Sequence, residues 1–146
     1  GHLDPGRPED LVPAAELTYR LLKERPAEAN ISHTTMPTFE QHQAYLLSNP
    51  YLAWYAILAG DKQTGQFVGA VLLTKNNEIG IGILKEHQRK GYARAAIEAL
   101  MQAHTPNPGV PGLRSSRFLA NVAPTNAASI ALFEKFGKVI QWTYRL

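Results

Sequence analysis

Three observations in the sequence predict an α/β fold built on a mixed sheet. Three apolar, β-branched or aromatic runs in the middle of the chain are joined by short polar turns, the pattern of an antiparallel meander. A helical stretch after the third run forces a crossover, so the run beyond it should lie parallel to the strand before the helix. Further helical segments at both ends carry capping and stop signals. With 146 residues, 45% hydrophobic and 18% charged, the chain has the size and composition of a single folded domain spanning 1–146.

Residues 1–12 read as irregular, and Gly1-His2 as a remnant of tag cleavage. Pro13 suits a first helical position, and Leu17, Leu21 and Leu22 recur at helical spacing until Arg25-Pro26. Ala27–Pro37 connects to a short helix from Phe39 to about Ser48, with Thr38 and Gln41 as its capping box. The strands follow: Tyr51–Ala59, Gln66–Thr74 and the Glu78–Leu84 run, whose interleaved Gly80 and Gly82 signal a bulge or a close approach to the backbone. Trp54 and Tyr55 fall on alternate faces of the first strand.

Gly91 opens the central helix, which runs to His104 and carries Arg94, Glu98 and Gln102 as one polar stripe. So apolar a helix is expected to be largely buried. Thr105–Ser116, with its prolines and glycines, is a loop, either a solvated connector or a lid. Arg117–Val122 is the parallel strand. Asn126 caps a helix over Ala127–Phe136 with Gly137 at its C′ position, and Val139–Tyr144 closes the sheet as a last strand.

The chemistry concentrates between the third strand and the central helix. Lys85–Lys90 brings three cations and His87, a residue expected at the surface, up to a helix start. Unpaired N–H groups there attract anions, each charge gaining roughly 0.3–1 kcal/mol, so the loop is suited to a phosphate group. Neither the dinucleotide fingerprint nor GxxxxGK[ST] occurs.

Composition narrows the rest. A net charge of +3 suits a small anionic ligand and is too weak for a nucleic-acid domain without a basic face. No apolar run reaches the ~18 residues that would span a bilayer, so no membrane role is expected. The absence of cysteine excludes a thioester enzyme intermediate and fits a cytoplasmic protein. No histidine has a partner at metal-ligand spacing, so no metal is expected. A sequon at Asn30-Ile31-Ser32 is read as chance in the absence of an export signal.

Gln88-Arg89-Lys90-Gly91-Tyr92-Ala93 resembles the Q/R-x-x-G-x-G/A signature of the GCN5-related N-acetyltransferases, GNAT, which lies in that family between the fourth strand and the following helix. Asn121, Asn126, Ser129 and Leu132-Phe133-Glu134-Lys135-Phe136-Gly137 resemble its second motif, so the likeness covers roughly the C-terminal half. It implies strands that splay around the central helix and admit the pantetheine arm of acetyl-CoA, held by backbone groups of Ile83 and Leu84. The loop Gln88, Arg89, Lys90, Gly91, Tyr92 and Ala93 would take the pyrophosphate, with Asn121, Asn126, Ser129 and Phe133 lining the cofactor side.

The resemblance also implies Glu78 as a base acting on the acceptor amine, often through a water. Asn30 and His33, in the Asn30–Thr34 segment, would lie on the acceptor side. One position departs from the pattern: Phe133 stands where many members carry the tyrosine that protonates the coenzyme A thiolate. Tyr92 or Tyr144 could replace it, though nothing in the sequence selects either.

The expectation is therefore transfer of an acetyl group from acetyl-CoA to a small-molecule or peptide primary amine by direct attack in a ternary complex. The chain is expected to be a monomer or homodimer. The alternatives are a non-catalytic acyl-CoA-binding module, on the strength of Phe133, and more remotely a nucleic-acid or protein-interaction domain.

Overall fold

The computed structural model describes residues 8–24, 36–61 and 63–146. The elements run α1 (Pro8–Glu24), α2 (Phe39–Leu47), β1 (Ala53–Ala59), β2 (Gln66–Leu73), β3 (Ile79–Ile83), α3 (Tyr92–Ala103) and α4 (Ala127–Glu134). The three strands form an antiparallel sheet in the order β1-β2-β3.

Side-chain alternation sorts the sheet into two faces. Val71, Leu73 and Ile79 pack with Ile97 and Leu100 of α3, and Leu132 and Phe133 of α4 join them. On the other face Leu17 of α1 meets Ala56 and Leu84, flanked by Leu21 and Trp54. Trp54 and Tyr55 do take opposite faces: the Tyr55 hydroxyl lies 2.7 Å from Nε2 of His104 at the end of α3. The glycines of β3 mark close approach and not a bulge. The β2–β3 register is unbroken, and a Cβ at Gly80 would sit 3.0 Å from the Leu72 side chain. The irregularity lies in β1, between Ile57 and Leu58.

The expected capping box of α2 is present in both directions: the Gln41 N–H donates to Thr38 Oγ1 at 3.2 Å, and the Thr38 N–H to Gln41 Oε1 at 2.9 Å. Other boundaries differ from expectation. α1 begins at Pro8, so residues 8–12 are helical and Pro13 sits inside the helix. Pro8 supplies the pre-set φ at the helix start, and Pro13 costs one internal hydrogen bond that the packing of Ala14, Ala15 and Leu17 outweighs. α3 starts at Tyr92, with Gly91 as its N-cap. Only Ile97 and Leu100 are buried, because Ala95, Ala99 and Ala103 face solvent. Alanine favours helix without demanding burial, so the apolar count overstated how enclosed this helix is.

The two strands expected after α3 are not formed as drawn. Arg117–Val122 contributes a single parallel bridge, Glu78 to Leu119, which keeps the expected direction but not the length. Val139–Tyr144 is not a strand: residues 137–146 are irregular, with Trp142 72% and Tyr144 79% exposed. α4 ends at Glu134, and its close is a turn in which the Gly137 N–H donates to the Phe133 carbonyl at 3.0 Å, with no left-handed residue at 137.

Candidate active site

The site begins where two strands part. Even-numbered residues of the β3 region exchange backbone hydrogen bonds with β2, as in Leu84 N–H to the Val68 carbonyl at 2.9 Å and Thr74 N–H to the Glu78 carbonyl at 2.8 Å. The N–H and C=O groups of Ile79, Ile81 and Ile83 therefore point to the opposite edge. Ile79 donates to the Leu119 carbonyl at 2.7 Å and Leu119 to the Asn77 carbonyl at 2.9 Å. Beyond this bridge no backbone bond joins the two segments among the described residues. An open edge at Ile81 and the Ile83 N–H results, while the Leu84 N–H is taken up by β2.

The loop after β3 stands at the end of that edge. Arg89 (φ 64°) and Gly91 (φ 85°) are both left-handed, a local shape that turns successive N–H groups toward one side. Gly91 suits this conformation because it carries no Cβ. The first helical bond beyond it runs from Ala95 N–H to the Gly91 carbonyl, leaving the N–H groups of Tyr92, Ala93 and Arg94 at the open end of α3. Gln88 turns inward, donating from Nε2 to the Ile83 carbonyl at 3.0 Å.

α1 braces the same loop. Glu24 Oε2 accepts the Lys85 N–H at 3.0 Å, and Arg20 Nη2 lies 2.6 Å from Glu86 Oε1. The hydrogen bond and charge of Arg20 hold the Glu86 carboxyl below its ordinary value. Glu86 thus has its own cation, and Arg89 and Lys90 remain exposed. His87, expected at the surface, is buried.

At the fork itself Glu78 gathers three side chains. Its Oε2 accepts from Arg114 Nη1 at 2.8 Å and from Asn121 Nδ2, and Oε1 accepts weakly from Thr74 Oγ1 at 3.4 Å. Burial pushes the carboxyl up, and this is outweighed by the hydrogen bonds from Asn121 and Arg114, the Arg114 charge and the Thr74 hydroxyl. The net result lies below the ordinary 4.5.

Behind the fork is a residue that the sequence reading passed over as part of a turn. Asn77, 1% exposed and left-handed at φ 66°, accepts the Asn107 N–H on Oδ1 at 2.7 Å. Its Nδ2 donates to the carbonyls of Asn107 and Arg114. The 105–116 segment is thus tied to the sheet and not a free connector; within it the Ser115 hydroxyl donates to the Pro108 carbonyl at 2.9 Å. The legible signal was asparagine itself, which tolerates the left-handed region and bonds backbone through its amide.

The second-motif residues are spread over α4. The Asn126 side chain accepts the Ser129 N–H at 3.2 Å as an N-cap, and Phe133 packs partly buried against the α3 cluster. Asn30 and His33 lie outside the described residues. A groove of about 500 Å³ runs between α1 and α2, lined by Glu16, Tyr19, Arg20, Lys23 and Phe39. Among the described residues no group of three His, Asp or Glu side chains could hold a metal, and no helix is long and apolar enough to cross a membrane.

The family profile of the acetyltransferase (GNAT) domain matches residues 3–139. The chain belongs to the GNAT acetyltransferase family. Solved structures share the GNAT fold at low identity. A domain from Methanocaldococcus jannaschii aligns with a TM-score of 0.65 at 22% identity, covering 88% of this chain and 81% of that one. A ribosomal-protein-alanine N-acetyltransferase from Brucella melitensis aligns at 0.58 with 19% identity over 92% of each chain. The putative acetyltransferase yncA from Salmonella typhimurium, solved with its cofactor acetyl-CoA, aligns at 0.57 with 16% identity, covering 88% and 73%. No curated protein sequence matches the chain. In this GNAT protein both strands that depart from the expected layout fall after α3, where the sheet narrows to one bridge.

Proposed function

We propose that this GNAT protein transfers the acetyl group of acetyl-CoA to a primary amine by direct attack. The observation that carries this reading is the open edge of β3 running from the Glu78 fork to the loop at Gly91. An extended amide chain ending in a diphosphate is complementary to such a track: the backbone groups of Ile81 and the N–H of Ile83, then the N–H groups of Arg89 to Ala93 and the cations of Arg89 and Lys90. Ile81 and the Ile83 N–H supply the edge contacts, in place of the Leu84 N–H, which donates to Val68. Gln88 serves by fixing the loop, and Asn126 by capping α4 at the Ser129 N–H.

In the reaction the bound ammonium first releases one proton to water; the neutral amine nitrogen then forms a bond to the thioester carbonyl carbon, the C–S bond breaks, coenzyme A leaves as thiolate, and the second proton leaves to water. Glu78 orients the incoming ammonium. Against the upward push of burial, hydrogen bonds from Asn121 and Arg114 hold its carboxyl below the ordinary value, which makes it a better partner for a cation than a store for a proton. Release of a proton from an amine of pKa ~10.4 to water at pH 7 costs about 4.6 kcal/mol. The thiolate leaves without a donor at position 133, which a thiol pKa near ~8.5 makes tolerable.

Phe133 favours a second reading, an acyl-CoA-binding module without turnover. Calorimetry with acetyl-CoA and coenzyme A release over a broad amine panel separate the two. Binding with turnover supports the enzyme, and binding with no turnover supports the module. Arg89→Glu with Lys90→Glu should weaken acetyl-CoA binding by about 10-fold or more at moderate salt. An unchanged affinity would remove the loop from the site.

A further inference from the structure

We propose that the acceptor is a small primary amine that also carries a carboxylate, an amino acid, and that Arg114 sets this specificity by taking the carboxylate while Glu78 takes the ammonium. This rests on the acetyltransferase reading above and narrows its acceptor. Arg114 and Glu78 meet at 2.8 Å with side chains 36% and 21% exposed, so both stay reachable at the fork where the acyl group would lie. The guanidinium has five N–H donors, of which the Nη1 contact uses one. No second acceptor for that side chain is found among the described residues. Glu78 keeps Oε1 nearly free, at 3.4 Å from Thr74.

Charge decides which amine fits. The pair is net neutral, so a bare polyamine would meet Glu78 together with the repulsion of Arg114, and a simple anion the reverse. A zwitterion finds the opposite charge at each pole. Arginine also matches a planar carboxylate through two parallel N–H donors. The arrangement is set before binding, because Asn77 holds the Arg114 carbonyl and Asn121 holds the same carboxylate oxygen as Arg114. A peptide N-terminus places no carboxylate next to its amine and forgoes the second contact.

The test compares the common α-amino acids with their carboxamides by coenzyme A release, using the full chain, with acetyl-CoA affinity measured separately by calorimetry. The expected result is turnover of one or more acids. In Arg114→Met the acid-to-amide ratio of kcat/KM should fall by about 10- to 100-fold, carried by KM. Arg114→Lys should restore part of it, and acetyl-CoA affinity should be unchanged in both. Equal loss for acids and amides would reduce Arg114 to a prop for Glu78 and overturn the proposal. So would turnover confined to amines without a carboxylate, or no turnover of any acid by protein that binds acetyl-CoA. Failure of the wild type to bind acetyl-CoA would instead defeat the acetyltransferase reading itself.

Discussion

Asn77 and Asn107 clasp each other across the base of the fork: the Asn77 amide accepts the Asn107 N–H at 2.7 Å and donates to the Asn107 carbonyl at 2.9 Å. The same amide group reaches the Arg114 carbonyl, so one buried side chain satisfies three backbone groups of the 105–116 segment. The Asn107 carbonyl also takes the Ser116 N–H, so the groups that depend on Asn77 alone are the Asn107 N–H and the Arg114 carbonyl; a backbone group left without a partner costs about 1–3 kcal/mol where it is buried.

Asn77→Ala should therefore destabilise by about 2–4 kcal/mol, combining unsatisfied groups with the penalty of a left-handed alanine at φ 66°. Asn77→Gly separates the two causes, since glycine keeps the backbone and loses only the hydrogen bonds. Urea unfolding should rank wild type above Asn77→Gly above Asn77→Ala. Equal midpoints for all three would show that the clasp contributes nothing.

Glu78 makes stability sensitive to acid. Its folded-state pKa lies below the ordinary 4.5, so the unfolded chain binds the proton more readily. The contribution is complete above about pH 4.5 and fades as pH falls through the lower folded value. Denaturant midpoints of wild type should drop between pH 5 and pH 3, and Glu78→Gln should drop less over the same range. Asp61 and Glu86 are also held below the ordinary range, Asp61 by hydrogen bonds from Thr64 and Gln63 and Glu86 by Arg20, but both are exposed. Added salt should damp the Glu86 part and leave most of the Glu78 difference.

The sequence made the meander, the crossover and the glycine turn before α3 legible because each rests on local chemistry: alternation, turn residues, and a glycine at a left-handed position. What it hid depends on contacts distant along the chain. The single bridge at Leu119 could not be foreseen from Arg117–Val122, whose strand propensity is ordinary, because pairing there depends on a partner 41 positions away along the chain. The Arg114–Glu78 pair spans 36 positions and has no spacing signature. Pro13 misled for the opposite reason: a local rule for proline gave way to tertiary packing of the alanines beside it.

The exposed end of the chain gives a simple check of the fold after α4. Trp142 is 72% exposed, whereas Trp54 packs beside Leu17 and Leu84. Trp142→Ala should change stability by no more than about 0.5 kcal/mol, the usual range for surface positions. Trp54→Ala should cost about 2–4 kcal/mol. Acrylamide quenching should be dominated by Trp142 in the wild type and largely lost in its alanine variant. A large loss of stability on removing Trp142 would mean that 139–144 packs as a strand after all.

The loop at the start of α3 predicts opposite responses at two neighbouring positions. Gly91 holds φ 85°, and a Cβ there would touch nothing within 4 Å, so Gly91→Ala is penalised by backbone conformation alone, by about 1–2 kcal/mol. Arg89 holds φ 64° with a side chain present, so Arg89→Gly should relieve a comparable strain and leave stability level or slightly raised. Acetyl-CoA affinity should fall in both, in Gly91→Ala because the N–H groups shift and in Arg89→Gly because a cation is lost. Thermal unfolding and calorimetry on the two variants would read these effects apart. If Arg89→Gly lost stability as Gly91→Ala does, the left-handed pair would not be what shapes this loop.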